Sequence, residues 1–215
     1  MLTCASAVDN LGVGSVTTNL NVKDNVYWAK KNFSLGKRQK WRVVQLVFDP
    51  EADKILPHAQ PYVQRDLTWD YLSTPGNFEE NACAVCALTT CEGIRREDDN
   101  FTPESCKKAK GFIGDSVEAK WDNLNMVKHF GLTSQQGYQE IYNQIRTGKP
   151  AIIHVDNGRY GHFVTAYGYT NGTTKSNITP SRILIIDPYN PERTNLQELL
   201  NHCPSSGGYD FILTY

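Results

Sequence analysis

The sequence predicts an α+β fold, with helices first and a sheet after them, and three observations carry the prediction. Two helix-like segments, residues 117–130 and 138–146, stop at Gly131 and Gly148, with Pro150 just past the second. Three segments rich in Ile, Val and aromatics follow, residues 151–155, Gly161–Tyr169 and residues 182–186, and read as strands. Helices and strands are therefore grouped and do not alternate, which argues against a parallel α/β sheet.

Each element has a local reason. Residues 1–22 are polar and small with no sustained period and read as an extended or ill-ordered lead-in. Residues 26–48 mix aromatic and basic side chains, and residues 42–48 (Arg-Val-Val-Gln-Leu-Val-Phe) read as a strand ended by Asp49-Pro50. Pro75-Gly76-Asn77 marks a turn. Residues 83–90 carry Ala84, Ala87 and Leu88 at i, i+3 and i+4, the helical spacing, with Asn81 as a candidate N-cap. Residues 97–100 form an acidic loop, and Thr170 to Ser181 is a long polar connection between two strands. The chain divides into an N-terminal extension, residues 1–56, partly β, and a main domain, residues 57–215.

Composition narrows the classes of function. The 215 residues hold 22 Lys and Arg against 23 Asp and Glu, a net charge of −1, which speaks against a dedicated nucleic-acid binder. The basic residues among 26–48 read as a solvated face for the same reason. Aliphatic runs such as Ile183-Leu184-Ile185-Ile186 fall far short of the roughly 18 apolar residues of a membrane span. The start, Met1-Leu2-Thr3-Cys4-Ala5, has neither the basic flank nor the apolar core of a signal peptide, and nothing else assigns a compartment.

Six cysteines are present: Cys4, Cys83, Cys86, Cys91, Cys106 and Cys203. Cys83 and Cys86 form a C-x-x-C, but no second close pair follows, so structural zinc is disfavoured and no metal or cofactor is expected.

Cys83 opens a helix, where the positive end of the macrodipole favours a negatively charged sulfur. A sulfur nucleophile needs a base, so the five histidines are the next question. His58 precedes the patterned region, His129 ends the 117–130 helix and His202 lies in the tail. His154 sits inside Ala-Ile-Ile-His-Val and is expected on the far face or bonded to a carbonyl. His162 opens a strand directly after Gly161, at an uncrowded strand mouth. Asp187 ends the next strand. If those two strands are antiparallel neighbours, Asp187 lies beside His162, where an acceptor would orient the imidazole. Asp187-Pro188 also reads as a simple turn.

The ordered segments Pro61-Tyr62-Val63-Gln64-Arg65-Asp66, Asn81-Ala82-Cys83-Ala84-Val85-Cys86-Ala87-Leu88, Thr147-Gly148-Lys149-Pro150-Ala151-Ile152-Ile153, Gly161-His162-Phe163-Val164-Thr165-Ala166-Tyr167-Gly168-Tyr169 and Ile186-Asp187-Pro188 together resemble the papain-like cysteine peptidases related to the bacteriocin-leader (double-glycine) processing peptidases. The resemblance covers roughly residues 60–190. The chain has Ala84 and Val85 where the family usually has Gly and Pro after the nucleophile.

The resemblance implies a papain-like fold, with the nucleophile helix packed on an antiparallel sheet. It implies Cys83 as nucleophile, His162 as general base and acid, Asp187 as the group orienting the imidazole, and Gln64 as an oxyanion donor beside the Cys83 N–H. Cys86, one helical turn on, is expected to face the core. The implied substrates are proteins, peptides or peptidoglycan amides, in a setting such as a phage- or bacterium-derived wall-degrading enzyme or toxin. A transglutaminase- or deamidase-like acyl-transfer toxin, or a papain-like binding module without activity, remain alternatives.

Overall fold

A computed structural model describes residues 18–23, 26–35, 38–47, 53–113, 117–159, 161–204 and 209–215, the first three segments by their backbone alone. Residues 1–17, Cys4 and Asp49-Pro50 lie outside the described residues, as do the side chains of residues 26–48. The chain divides into two compact units, Met1–Pro50 and Glu51–Tyr215.

The first unit holds an antiparallel meander: β1 (Thr18–Lys23), β2 (Val26–Leu35) and β3 (Arg38–Val47). Lys23 pairs with Val26, Leu35 with Arg38 and Val26 with Val47.

The second unit is built on a six-stranded sheet. Its strands are β4 (Lys54–Ile55), β5 (Val127–His129), β6 (Ala151–Asp156), β7 (Gly161–Tyr169), β8 (Ile183–Ile186) and β9 (Phe211–Thr214). The path runs β4-β7-β6-β9-β5, with β8 on the other side of β7. The described pairings are all antiparallel. Gly168 lies at a register shift in β7, where an added Cβ would stand 2.7 Å from the Lys54 carbonyl oxygen, so β4 can pair closely only with glycine there.

Helices cover both faces. On one side α2 (Cys83–Arg96) and α3 (Pro103–Lys108) pack with Leu72, Phe78, Phe112, Ile152 and Leu213. On the other, α4 (Ser134–Arg146) and α5 (Leu196–His202) enclose Ile153, Val155, Val164 and Ile212. Successive residues Ile152 and Ile153 thus enter opposite cores, the alternation a strand imposes. The α4 helix starts on a capping box, with Thr133 and Gln136 each accepting from the other's backbone N–H, and buries Tyr138, Ile141, Tyr142 and Ile145. Gly148, at φ 87°, ends the turn that follows it.

Two expectations are corrected. Residues 117–130 are not a helix: a 3-10 turn at Trp121–Leu124 ends at Asn125 in the left-handed conformation, and Val127–His129 form β5. Pairing with β9 outweighs the weak helical spacing, and His129 consequently lies on a strand, with Nε2 2.7 Å from Thr214 Oγ1. Asn81 is not the cap of α2 either. It ends a short helix, α1 (Asn77–Asn81), and bonds Asn77; Ala82 joins the two helices and supplies no side-chain cap. Among the described residues no helix is long and apolar enough to cross a membrane.

Candidate active site

α2 docks on β7 through a buried hydrogen bond from Thr165 Oγ1 to the Ala87 carbonyl, 2.9 Å long. Ala87 lies about 6 Å along the helix from Cys83, at 1.5 Å per residue. Thr165 lies three residues beyond His162 on the strand. The two elements run the same way from this contact, so it brings the start of α2 against the mouth of β7. Cys83, half-buried, lies there beside the His162 side chain and helps to raise its pKa.

His162 reaches Asp187 with its other edge, Nε2 to Oδ1 at 2.7 Å, which leaves Nδ1 for the sulfur. The pairing follows from the β7–β8 register, in which Thr165 opposes Ile186 and Asp187 comes next. Asp187 is also the turn former that an Asp-Pro suggests: Oδ1 accepts from the Tyr189 N–H at 2.8 Å and the Asn190 N–H at 3.2 Å. Its other oxygen accepts from Arg193 Nη1 at 2.9 Å.

These contacts set the charges. Burial alone would push the Asp187 carboxyl up, but His162, the Tyr189 amide and Arg193 hold it below the usual carboxylate range. Burial likewise opposes charge on His162, yet the Asp187 hydrogen bond, the Cys83 hydrogen bond and the charges behind them push its pKa up to about 9.

Gln64 lies in the same place but holds its amide differently from a free donor. Its Nε2 donates to the Glu79 carbonyl at 2.9 Å and reaches the Glu80 carbonyl at 3.4 Å, while Oε1 is buried without a protein partner. The Gln64 N–H bonds the Pro188 carbonyl at 3.0 Å, and Arg65 stacks over the Tyr189 ring at 4.1 Å, so this segment is sewn to the Asp187 loop. Gln64, Cys83, His162, Tyr189 and Arg193 all line one cavity of about 710 Å³.

The remaining candidates stand apart. Cys86 is fully buried, and burial, followed by the nearby Cys83, pushes its thiol well above the ordinary range. His154 bonds Asp210 through Nδ1 at 2.9 Å and stacks on Phe211 with centroids 4.5 Å apart; burial lowers its pKa despite that carboxylate. Cys83, Cys86, Cys91, Cys106 and Cys203 are in no disulfide, and among the described residues no group of three His, Cys, Asp or Glu could hold a metal ion. Sequence reasoning missed Arg193 and Tyr189. The one available signal was that a carboxylate buried at a strand end needs more partners than one imidazole.

A helix bearing the cysteine laid on an antiparallel sheet bearing the histidine is the α+β, papain-like arrangement of cysteine peptidases. The chain belongs to the Peptidase_C39 like family, whose sequence profile matches residues 58–202. No curated protein and no solved structure shows a significant match.

Proposed function

We propose that the protein is a thiol hydrolase that cleaves a peptide or other amide bond through a Cys83 thioester. The observation that carries this reading is the single imidazole of His162, bonded to buried Asp187 and lining one cavity with Cys83. In the first step the Cys83 sulfur adds to the substrate carbonyl while the proton of the pair sits on the His162 imidazole. The tetrahedral intermediate collapses, the C–N bond breaks, and the same proton passes to the leaving amine. Water then attacks the thioester with His162 as base, giving the acid and the free thiol.

The oxyanion forms next to the start of α2. The first backbone bond of that helix runs from the Cys86 N–H to the Ala82 carbonyl, so the Cys83 N–H lies outside its ladder and points ahead of it. Gln64 contributes the hydrogen it now shares over the longer distance with Glu80. Polypeptide or peptidoglycan cross-bridges are the proposed substrate class.

The test is brief treatment with iodoacetamide near neutral pH, followed by peptide mass spectrometry, alongside cleavage of a quenched-fluorescent peptide library. Selective modification of Cys83 among the six cysteines, with cleavage lost in Cys83→Ser, is expected. Uniform modification of several thiols, or undiminished cleavage by Cys83→Ser, would overturn the reading.

A further inference from the structure

We infer that Arg193 is a positioning residue of this site: its guanidinium holds Asp187 in the orientation that presents Oδ1 to His162, and its charge tunes the His162–Cys83 pair. The inference rests on the proposed function and goes one step beyond it.

Asp187 is wholly buried, with its side chain 0% exposed, and the Arg193 side chain is only 13% exposed. A buried carboxylate oxygen left without a partner is costly, the more so when the group is charged. The three donors from His162, Tyr189 and Asn190 all converge on Oδ1. Oδ2 has Arg193 alone among the described contacts. Without it the carboxylate gains by rotating about its last bond, and any such rotation takes Oδ1 off the imidazole.

Arg193 can act as a fixed strut because its loop is closed. The Arg193 N–H bonds the Asn190 carbonyl at 3.1 Å, and the Ile185 N–H returns to the Thr194 carbonyl at 3.0 Å. Leu184 and Asn195 bridge beside it. The loop that leaves β8 after Asp187 is therefore pinned back on β8 one residue past the arginine.

The charges facing His162 come from every side. Cys83 comes from α2, Glu79 and Glu80 from α1, and Arg65 from the segment before it. Tyr189 and Arg193 come from the Asp187 loop, His202 from the end of α5 and Cys203 from the residue after it. Asp156, at the end of β6, acts on Cys203. Of these, Arg193 is the cation bonded directly to the carboxylate that His162 uses. It draws on the same negative charge as the imidazolium and so competes with it.

The experiment is the rate of Cys83 alkylation by iodoacetamide from pH 5 to 10, read by mass spectrometry on the full chain. The variants are Arg193→Gln, Arg193→Met, Arg193→Lys and His162→Ala. In the wild type the rate has an inflection where His162 loses its proton. Arg193→Gln, whose amide can still donate to Oδ2, is expected to raise that inflection by about half a unit or more, because the competing cation is gone. Arg193→Met also serves should the glutamine variant fail to fold. It removes the donor to Oδ2 as well as the charge, so Oδ1 turns off the imidazole and the inflection is expected to fall below the wild-type position. Arg193→Lys keeps the charge and is expected to return the inflection toward the wild-type position. If His162→Ala gives the wild-type curve, the proposed function itself fails. If His162→Ala differs but the glutamine and methionine curves superimpose on wild type, or the lysine curve follows glutamine, the role of Arg193 alone is overturned.

Discussion

The side-chain nitrogen of Gln64 donates to the carbonyl oxygen of Glu79 at 2.9 Å, closing the end of α1. It also reaches the Glu80 carbonyl. These two carbonyls are the ones the Cys83 and Ala84 amides would take if α1 ran on into α2 as one helix. In the proposed mechanism, Gln64 on these carbonyls leaves the Cys83 N–H to the oxyanion. Gln64→Ala is expected to lower kcat by roughly 10²–10³ with little change in KM, the size of losing one oxyanion donor. Cys83 alkylation should stay normal, because the thiol does not need the donor. Gln64→Glu should be worse, since a carboxylate would face two carbonyl oxygens in a site only 4% exposed. Turnover within twofold of wild type in Gln64→Ala would remove the residue from the mechanism.

Cys83 and Cys86 lie one helical turn apart in different surroundings, and the difference predicts opposite phenotypes. Cys83→Ser should abolish turnover and leave the thermal midpoint nearly unchanged, because a hydroxyl paired with this histidine lacks thiolate character. Cys86→Ala should keep turnover and cost about 1 kcal/mol of packing, as for the loss of a small buried group. A cleavage assay and a denaturant titration on the two variants separate the roles; the reverse pattern would move the nucleophile by one turn.

The pH dependence follows from His162. Its pKa in the fold is about 9, above the ordinary value of 6.5. A raised pKa means that the charged ring favours the folded state, so this contribution is complete below about pH 6.5 and is lost as pH rises through about 9. Two of the raising contributions come from Cys83. The His162 ring resonances, followed by NMR titration, should therefore titrate near 9 in the wild type and lower in Cys83→Ala. An identical midpoint in both proteins would mean that sulfur and ring do not share a proton.

The strands and the pairing of His162 with Asp187 were legible because a hairpin with a long polar loop leaves few alternatives for where its ends meet. The patterning of β6, β7 and β8 is strong, and the register of β7 against β8 carries Asp187 to the imidazole. What stayed hidden depends on contacts distant in sequence. Trp121 and Leu124 mimic a helical spacing, and only the arrival of β9 turns Val127–His129 into a strand. α1, α3 and α5 are 5, 6 and 7 residues long, too short for periodicity to register. The true start of α4 lay at Thr133, where the capping box was present in the sequence as Thr-Ser-Gln-Gln but carried no apolar residue to draw attention to it. Arg193 follows Asp187 by six positions in a polar loop, and its role exists only once that loop folds back on β8.

Gly137 supplies a last test, in which a rule about helices and the packing at one position give opposite signs. It lies inside α4, where replacing glycine by alanine ordinarily stabilises a helix by about 1 kcal/mol. Here the ring of Tyr209 rests on its Cα. An added Cβ would stand 2.2 Å from the Tyr209 hydroxyl oxygen and 2.3 Å from Cζ. The ring cannot simply move away. Its hydroxyl donates to the carbonyls at the start of α4, Thr133 at 2.8 Å and Leu132 at 3.1 Å, and its edge packs on Tyr138 with centroids 6.0 Å apart. Displacing it strains the core and breaks those bonds, so Gly137→Ala should destabilise the protein by about 1–3 kcal/mol. In a Tyr209→Leu background the clash is absent, and the same substitution should recover its helix-stabilising sign. The coupling between the two positions, measured by denaturant unfolding of the four proteins, should exceed about 1 kcal/mol. A stabilising Gly137→Ala in the presence of Tyr209 would mean that the ring is not seated over this helix.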